Sequence, residues 1–196
     1  MNEPVAQRLR AIGALLATRD ASDATRGEAV VRLDEVVVAL EREPLRPRWY
    51  EIDATDRNAS RTYHEVFGPL RGAANVVAPP LTFGDTIERE ATAIVVARVR
   101  FGILHEGPPR IVHGGVVAAC FDEVLAVAQR DTVNGFTTEL TVRYPRPVPT
   151  ETDLEFTGWI ESDDGHRAVG RGECHAGGDL RATAEAHFVR PRRERG

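Results

Sequence analysis

The stretch His113-Gly114-Gly115-Val116-Val117-Ala118-Ala119-Cys120-Phe121-Asp122-Glu123-Val124-Leu125-Ala126-Val127-Ala128 decides the fold of this 196-residue chain. A helix this apolar must be buried on nearly every side, because a surface helix carries a polar stripe. An antiparallel sheet curled round it is the simplest solution. Beyond its end, Asn134-Gly135 suits a C-terminal cap or a turn.

The flanks supply that sheet. In Ala91–Ile103, Ala93, Val95, Ala97, Val99, Phe101 and Ile103 alternate with the intervening residues, which predicts one long strand. Leu140, Val142 and Tyr144 alternate with Glu139, Thr141 and Arg143, and Leu154, Phe156, Gly158 and Ile160 alternate with Glu155, Thr157, Trp159 and Glu161. Both segments read as strands with one buried face. Asp163-Asp164-Gly165 and Ala176-Gly177-Gly178-Asp179 have the composition of hairpin turns, so the segment between them and Leu180–Val189 complete an antiparallel meander.

Further out, Val5, Leu9, Ile12, Leu15 and Leu16 recur at helical steps and predict a first amphipathic helix. Thr25 and Glu28 have capping-box spacing, and Val30, Leu33, Val37 and Leu40 carry a second helical stripe to about Glu43, ended by Pro44 and Pro47. Residues 51–72 show no sustained period and read as a loop with one short helix at most. The expected organisation is α+β: residues 1–72 a helical hairpin and linker, 73–190 the sheet-and-helix domain, and 191–196 a basic tail.

Composition narrows the function classes. A formal net charge of −5 leaves no broad cationic surface for phosphates, so no nucleic acid is expected as a partner. All 25 basic residues are Arg, which is read as genomic bias. Cys120 and Cys174 lack the spacing of a disulfide framework or a zinc site, and a cytoplasmic location is the simplest reading. No apolar run approaches the roughly 20 residues that span a bilayer, so neither membrane insertion nor export is expected. The six histidines show no paired metal-ligand spacing, and no metal or other cofactor is expected.

The chemistry concentrates in the central helix. Gly114 and Gly115 start it without side chains over the first backbone N–H groups, leaving those donors and the positive end of the helix dipole open to a developing oxyanion. Asp122 puts a carboxylate into an otherwise apolar helix, where a charge is seldom kept without a partner or a task. Singly, a His-Gly-Gly is often a turn and an Asp-Glu pair often a flank reaching solvent; together they define a site. Nine residues separate His113 from Asp122, roughly 13 Å and half a turn round the axis. One helix cannot bring both ends to one atom, so the site requires two antiparallel copies across a two-fold axis, and hence a homodimer. Cys120 lies on another side of the helix without an activating base and reads as a small buried residue. Glu123 is expected to reach solvent, pair with an Arg or support Asp122.

Glu106-Gly107-Pro108-Pro109, His113-Gly114-Gly115, Phe121-Asp122-Glu123 and Thr137-Thr138-Glu139-Leu140-Thr141-Val142-Arg143-Tyr144 with Arg146-Pro147 resemble, in letters and spacing, the PaaI-type hotdog-fold acyl-CoA thioesterases. The resemblance covers about residues 75–189. It implies a hotdog fold, a homodimer with shared active sites that often pairs into a homotetramer, and hydrolysis of an acyl-CoA thioester. It further implies that the Gly114 amide holds the thioester oxygen, that His113 shapes that pocket, and that Asp122 of the other subunit is nucleophile or general base. Thr137 would hydrogen-bond that carboxylate or its water, and Gly115, Glu106 and Thr138 would contact substrate. Asn75-Val76-Val77-Ala78-Pro79-Pro80 resembles members with a helical N-terminal extension, although Val76 and Arg110 replace the usual Pro and Gly. Two other readings are weighed. A hydratase of the same fold carries an Asp and a His five residues apart, but position 127 is Val127. The alternative is a noncatalytic acyl-thioester-binding or assembly module, its N-terminal helical pair a partner-binding surface; Asp122 argues moderately against it. The Arg-rich terminus reads as a solvated tail before it reads as a clamp for CoA phosphates.

Overall fold

The computed structural model describes residues 3–48, 51, 57–90 and 92–190. The chain divides into two units, Met1–Gly68 with Gly72–Val76, and Pro69–Arg71 with Val77–Gly196. The basic tail at 191–196 and the expected strand start at Ala91 lie outside the described residues.

The first unit is helical: α1 (Glu3–Thr18), α2 (Asp23–Glu41) and α3 (Arg57–Phe67). The second helix starts earlier than the Thr25/Glu28 pattern indicates. Ser22, in extended backbone at φ −64° and ψ 159°, is the N-cap, and its hydroxyl accepts from the Thr25 N–H, so Thr25 lies inside the first turn. The expected stripe on α2 is not buried: Val30 and Leu40 remain 57% and 60% exposed. Within α3, Tyr63 and Phe67 stack at 5.4 Å, and the Arg46 guanidinium lies 3.8 Å above the Phe67 ring.

The second unit carries β1 (Thr82–Phe83), β2 (Ile87–Arg89), β3 (Thr92–Arg100), a short 3-10 turn (Ile103–His105), the helix α4 (Gly114–Ala128), β4 (Phe136–Arg143), β5 (Asp153–Asp163), β6 (Arg167–Ala176) and β7 (Asp179–Val189). These form a seven-stranded antiparallel sheet in the order β1-β3-β5-β6-β7-β4, with β2 also on β3. The meander is β5–β6–β7, and β4 joins its far edge through β7. The strand expected to run to Ile103 stops at Arg100, because the chain turns into the 3-10 segment. The expected hairpin at 176–179 is present, with Gly177 and Gly178 at φ +58° and +88°, conformations that glycine adopts without a Cβ clash. The turn after α4 covers residues 129–133, and Asn134, at φ +44°, leads with Gly135 into β4, where the Gly135 N–H donates to Gln129 Oε1 at 2.8 Å.

The sheet wraps α4 closely because its concave face is lined by small residues. Val117, Cys120, Phe121, Val124 and Leu125 of α4 are completely buried against Ala168, Ala182, Ala184 and Ala186 and the glycines of β5 and β6. A Cβ built on Gly158 would lie 2.8 Å from a methyl of Val124, and one on Gly172 would lie 2.9 Å from the Phe121 ring. Gly158→Ala is therefore expected to destabilise the fold by about 1–3 kcal/mol, read from a urea unfolding curve, since the β-branched Val124 has few rotamers in which to retreat. The opposite side of α4 differs from the expectation of near-complete burial. Ala118, Ala119, Asp122 and Ala126 are only half-buried, because one sheet covers one stripe of a helix.

Candidate active site

The loop before α4 is fixed by its backbone. His113 N–H donates to His105 O at 2.8 Å, Val112 N–H to Val148 O at 2.9 Å, and Thr150 N–H to Arg110 O at 3.0 Å. Arg110, where the resembling family has Gly, sits at φ +62°, the left-handed region that glycine favours. The chain keeps the turn and bears the strain of a side chain there.

His113 is the N-cap of α4. Its carbonyl accepts from Val116 and Val117, and its Nδ1 accepts from the Gly115 N–H at 3.1 Å. An accepting Nδ1 puts the proton of the neutral ring on Nε2. Of the two glycine amides expected to be open, that of Gly115 is thus taken by His113. The Gly114 N–H has no acceptor among the described residues. Tyr144 donates from its hydroxyl to Gly114 O at 2.7 Å and lays its ring beside Gly114. Burial raises the pKa of that phenol, which keeps it a donor. Tyr144 directly follows β4, and its place beside the helix tip is set by the fold.

Asp122 lies two turns along α4. Thr137 donates to Asp122 Oδ1 at 3.1 Å, from a strand position set by a bulge between Thr137 and Glu139. Thr138 is the extra residue of that bulge, and its hydroxyl donates to His187 O at 3.1 Å. A surface hollow of about 480 Å³ is lined by Leu70, Ala118, Ala119, Asp122, Thr137, Thr138, Glu139 and Leu140. Glu106, His113, Gly114 and Gly115 do not line it. One chain therefore keeps two features apart, a helix tip with an open amide and a carboxylate in a partly apolar hollow. A larger concavity, about 1230 Å³, opens on β2, β3, β5 and β6 and contains no residue of α4.

Glu123 takes the Arg option: Arg71 Nε lies 3.1 Å from its Oε1, with the two side chains 8% and 18% exposed. Burial raises the Glu123 pKa, opposed by the charge of Arg71. Burial likewise pushes the Cys120 thiol far above the ordinary range and the Cys174 thiol up to about 12. A thiol held protonated is no nucleophile. Cys120→Ala is expected to keep thioester turnover within about threefold, and native Cys120 to resist iodoacetamide at neutral pH. No cluster that would hold a metal ion occurs among the described residues, and none of their helices is long and apolar enough to cross a membrane.

Residues 110–183, which span α4 and most of the sheet, match the family model of the thioesterase superfamily. The second unit has the hotdog fold. The crystal structure of a thioesterase superfamily protein aligns with the chain at a TM-score of 0.79 and 26% identity, over 96% of this chain and 95% of that one. Phenylacetic acid degradation protein PaaI from Thermus thermophilus aligns at 0.51 and 19% identity, over 57% and 93%. The PaaI protein from the E. coli operon aligns at 0.51 and 15%, over 57% and 83%. At that identity the two PaaI structures speak to the fold alone. No curated protein matches the chain. Family match and fold together support thioester hydrolysis as the chemistry of this hotdog domain.

Proposed function

We propose that the protein hydrolyses acyl-CoA-type thioesters to the free acid and CoA, as a homodimer whose active sites lie between subunits. The observation that carries this reading is the carboxylate of Asp122, held by the Thr137 hydroxyl at 3.1 Å in a partly apolar hollow. The open Gly114 N–H at the tip of the same helix completes the chemistry when it comes from a second copy. There the amide, with the helix dipole behind it, accepts the growing negative charge on the thioester oxygen. Asp122 attacks the carbonyl carbon, or takes a proton from the water that does. The C–S bond then breaks, and CoA leaves as a thiolate that is protonated to the free thiol. On the direct path one water then cleaves the acyl-Asp122 anhydride, and the proton it releases makes the free thiol; on the other, the proton held by Asp122 goes to the leaving sulfur.

His113 acts from the side, holding the helix start so that Gly114 alone presents a donor. Glu106 lies in the loop before α4, at a backbone bridge to Val112, where it flanks the same tip. The homodimer, its pairing into a tetramer and a cytoplasmic location belong to the proposal. Free thiol release from short, medium, long and aryl acyl-CoAs tests it. Turnover of at least one class is expected, while a purely acyl-binding module would bind these thioesters and release no thiol from any of them.

A further inference from the structure

The hollow beside Asp122 has one wall that comes from neither α4 nor β4. Leu70 belongs to the short segment Pro69–Arg71, which packs as part of the hotdog unit although it precedes the first strand. Besides Asp122, α4 lines the hollow with the methyl groups of Ala118 and Ala119, which leave room for a chain of methylenes along the helix. Leu70 and Leu140 are the large apolar side chains of the hollow.

The next residue along the segment, Arg71, is anchored. Its Nε lies 3.1 Å from Glu123 Oε1, its side chain is 8% exposed, and its guanidinium lies 5.9 Å from the centre of the Phe83 ring. Glu123 is the neighbour of Asp122 on α4, so the anchor ties the segment to the helix one residue from the carboxylate. A buried ion pair contributes little net stability against an apolar replacement, and is better suited to fixing one arrangement among several.

We propose that Leu70 determines the length of the acyl group accepted beside Asp122, and that the Arg71–Glu123 ion pair is the positioning device that holds it there. The proposal rests on the reading of the hollow as the acyl site. Shortening Leu70 lengthens the space for the acyl chain, and each methylene admitted or refused changes kcat/KM by roughly 10-fold or more. Removing the ion pair frees the segment and relaxes the same selection.

The test is a kcat/KM profile over saturated acyl-CoAs of increasing length for the wild type, Leu70→Ala, Leu70→Trp and the double variant Arg71→Met/Glu123→Leu, which removes the pair without stranding a buried charge. The Tm of each variant is recorded. For Leu70→Ala, the ratio of kcat/KM on a chain three or four carbons beyond the wild-type optimum to that at the optimum should rise at least about tenfold. Leu70→Trp should lower it, and the double variant should raise it by a smaller factor whatever happens to its Tm. A purely structural Leu70 would change Tm and leave the ratio fixed, which overturns the proposal. If the wild type cleaves no acyl-CoA, the hydrolytic reading fails, and the Leu70 assignment is decided by binding of non-hydrolysable thioether analogues of the same lengths. A Leu70→Ala preference displaced toward longer analogues upholds it, and an unchanged preference, or no binding of any analogue, overturns it.

Discussion

Asp122→Asn is expected to lower kcat for acyl-CoA hydrolysis by about 10²–10⁴-fold, the range associated with a positioned acid or base, with KM changed far less. The replacement is nearly isosteric, and an amide oxygen can still accept the hydrogen bond that Thr137 gives to Asp122 Oδ1 at 3.1 Å. The fold and the hollow are therefore expected to survive while the negative charge is lost. Urea unfolding within about 1 kcal/mol of the wild type would confirm that chemistry and not folding was removed. The readout is free thiol released from the best substrate of the acyl panel. A variant that kept a third of the rate would show that Asp122 is not the acting group.

Gly114→Pro is expected to cost about 10²–10³-fold in kcat, the loss seen when one oxyanion donor is removed. The substitution is unusually specific at this position. Gly114 is the first residue of α4, where a helix has no intrahelical use for the N–H and proline is tolerated. His113 before it lies at φ −58° and ψ 131°, the extended region that a residue preceding proline prefers. A Cβ at position 114 would meet the Tyr144 ring at 3.5 Å, ordinary van der Waals contact. Gly114→Ala brings the same Cβ but keeps the donor, and is expected to retain activity within about threefold. Equal losses in the two variants would assign the effect to crowding against Tyr144 and remove the amide from the mechanism.

Much of the hotdog unit was legible because its periods are local. The apolar run from Val116 to Val127 marked a core helix, although one side of it is only half-buried, and the alternation in β5, with Leu154, Phe156 and Gly158 buried, marked a half-buried strand. Gly177 and Gly178 announced their turn by composition. The link between Thr137 and Asp122 came from a family resemblance, since nothing in the spacing of residues on two different elements reveals a hydrogen bond. The features that escaped are those created by long-range packing. Arg71 and Glu123 lie 52 positions apart with no pattern joining them, and nothing local places Leu70 beside Asp122 in the hollow. The wrapping of α4 depends on glycines and alanines of β5, β6 and β7, whose importance appears only when a Cβ is built and collides with Val124 or Phe121. Ser22 is the α2 cap instead of Thr25 because the backbone is extended at Ser22; with Thr25 and no Glu or Gln three residues on, Ser22 lacks the capping-box spacing that pointed to Thr25.

The pairing of a carboxylate from one copy with a helix tip from another is tested most directly by mixing two inactive variants. Asp122→Asn supplies an intact Gly114, and Gly114→Pro supplies an intact Asp122. Co-refolded in equal amounts, half the dimers are mixed and one of the two sites in each mixed dimer is wild type, so about a quarter of wild-type activity should return. Native mass spectrometry of differently tagged subunits would verify that mixed dimers formed. Activity at the average of the two parents, with mixed dimers present, would mean that each site is built within a single chain and would contradict the shared site.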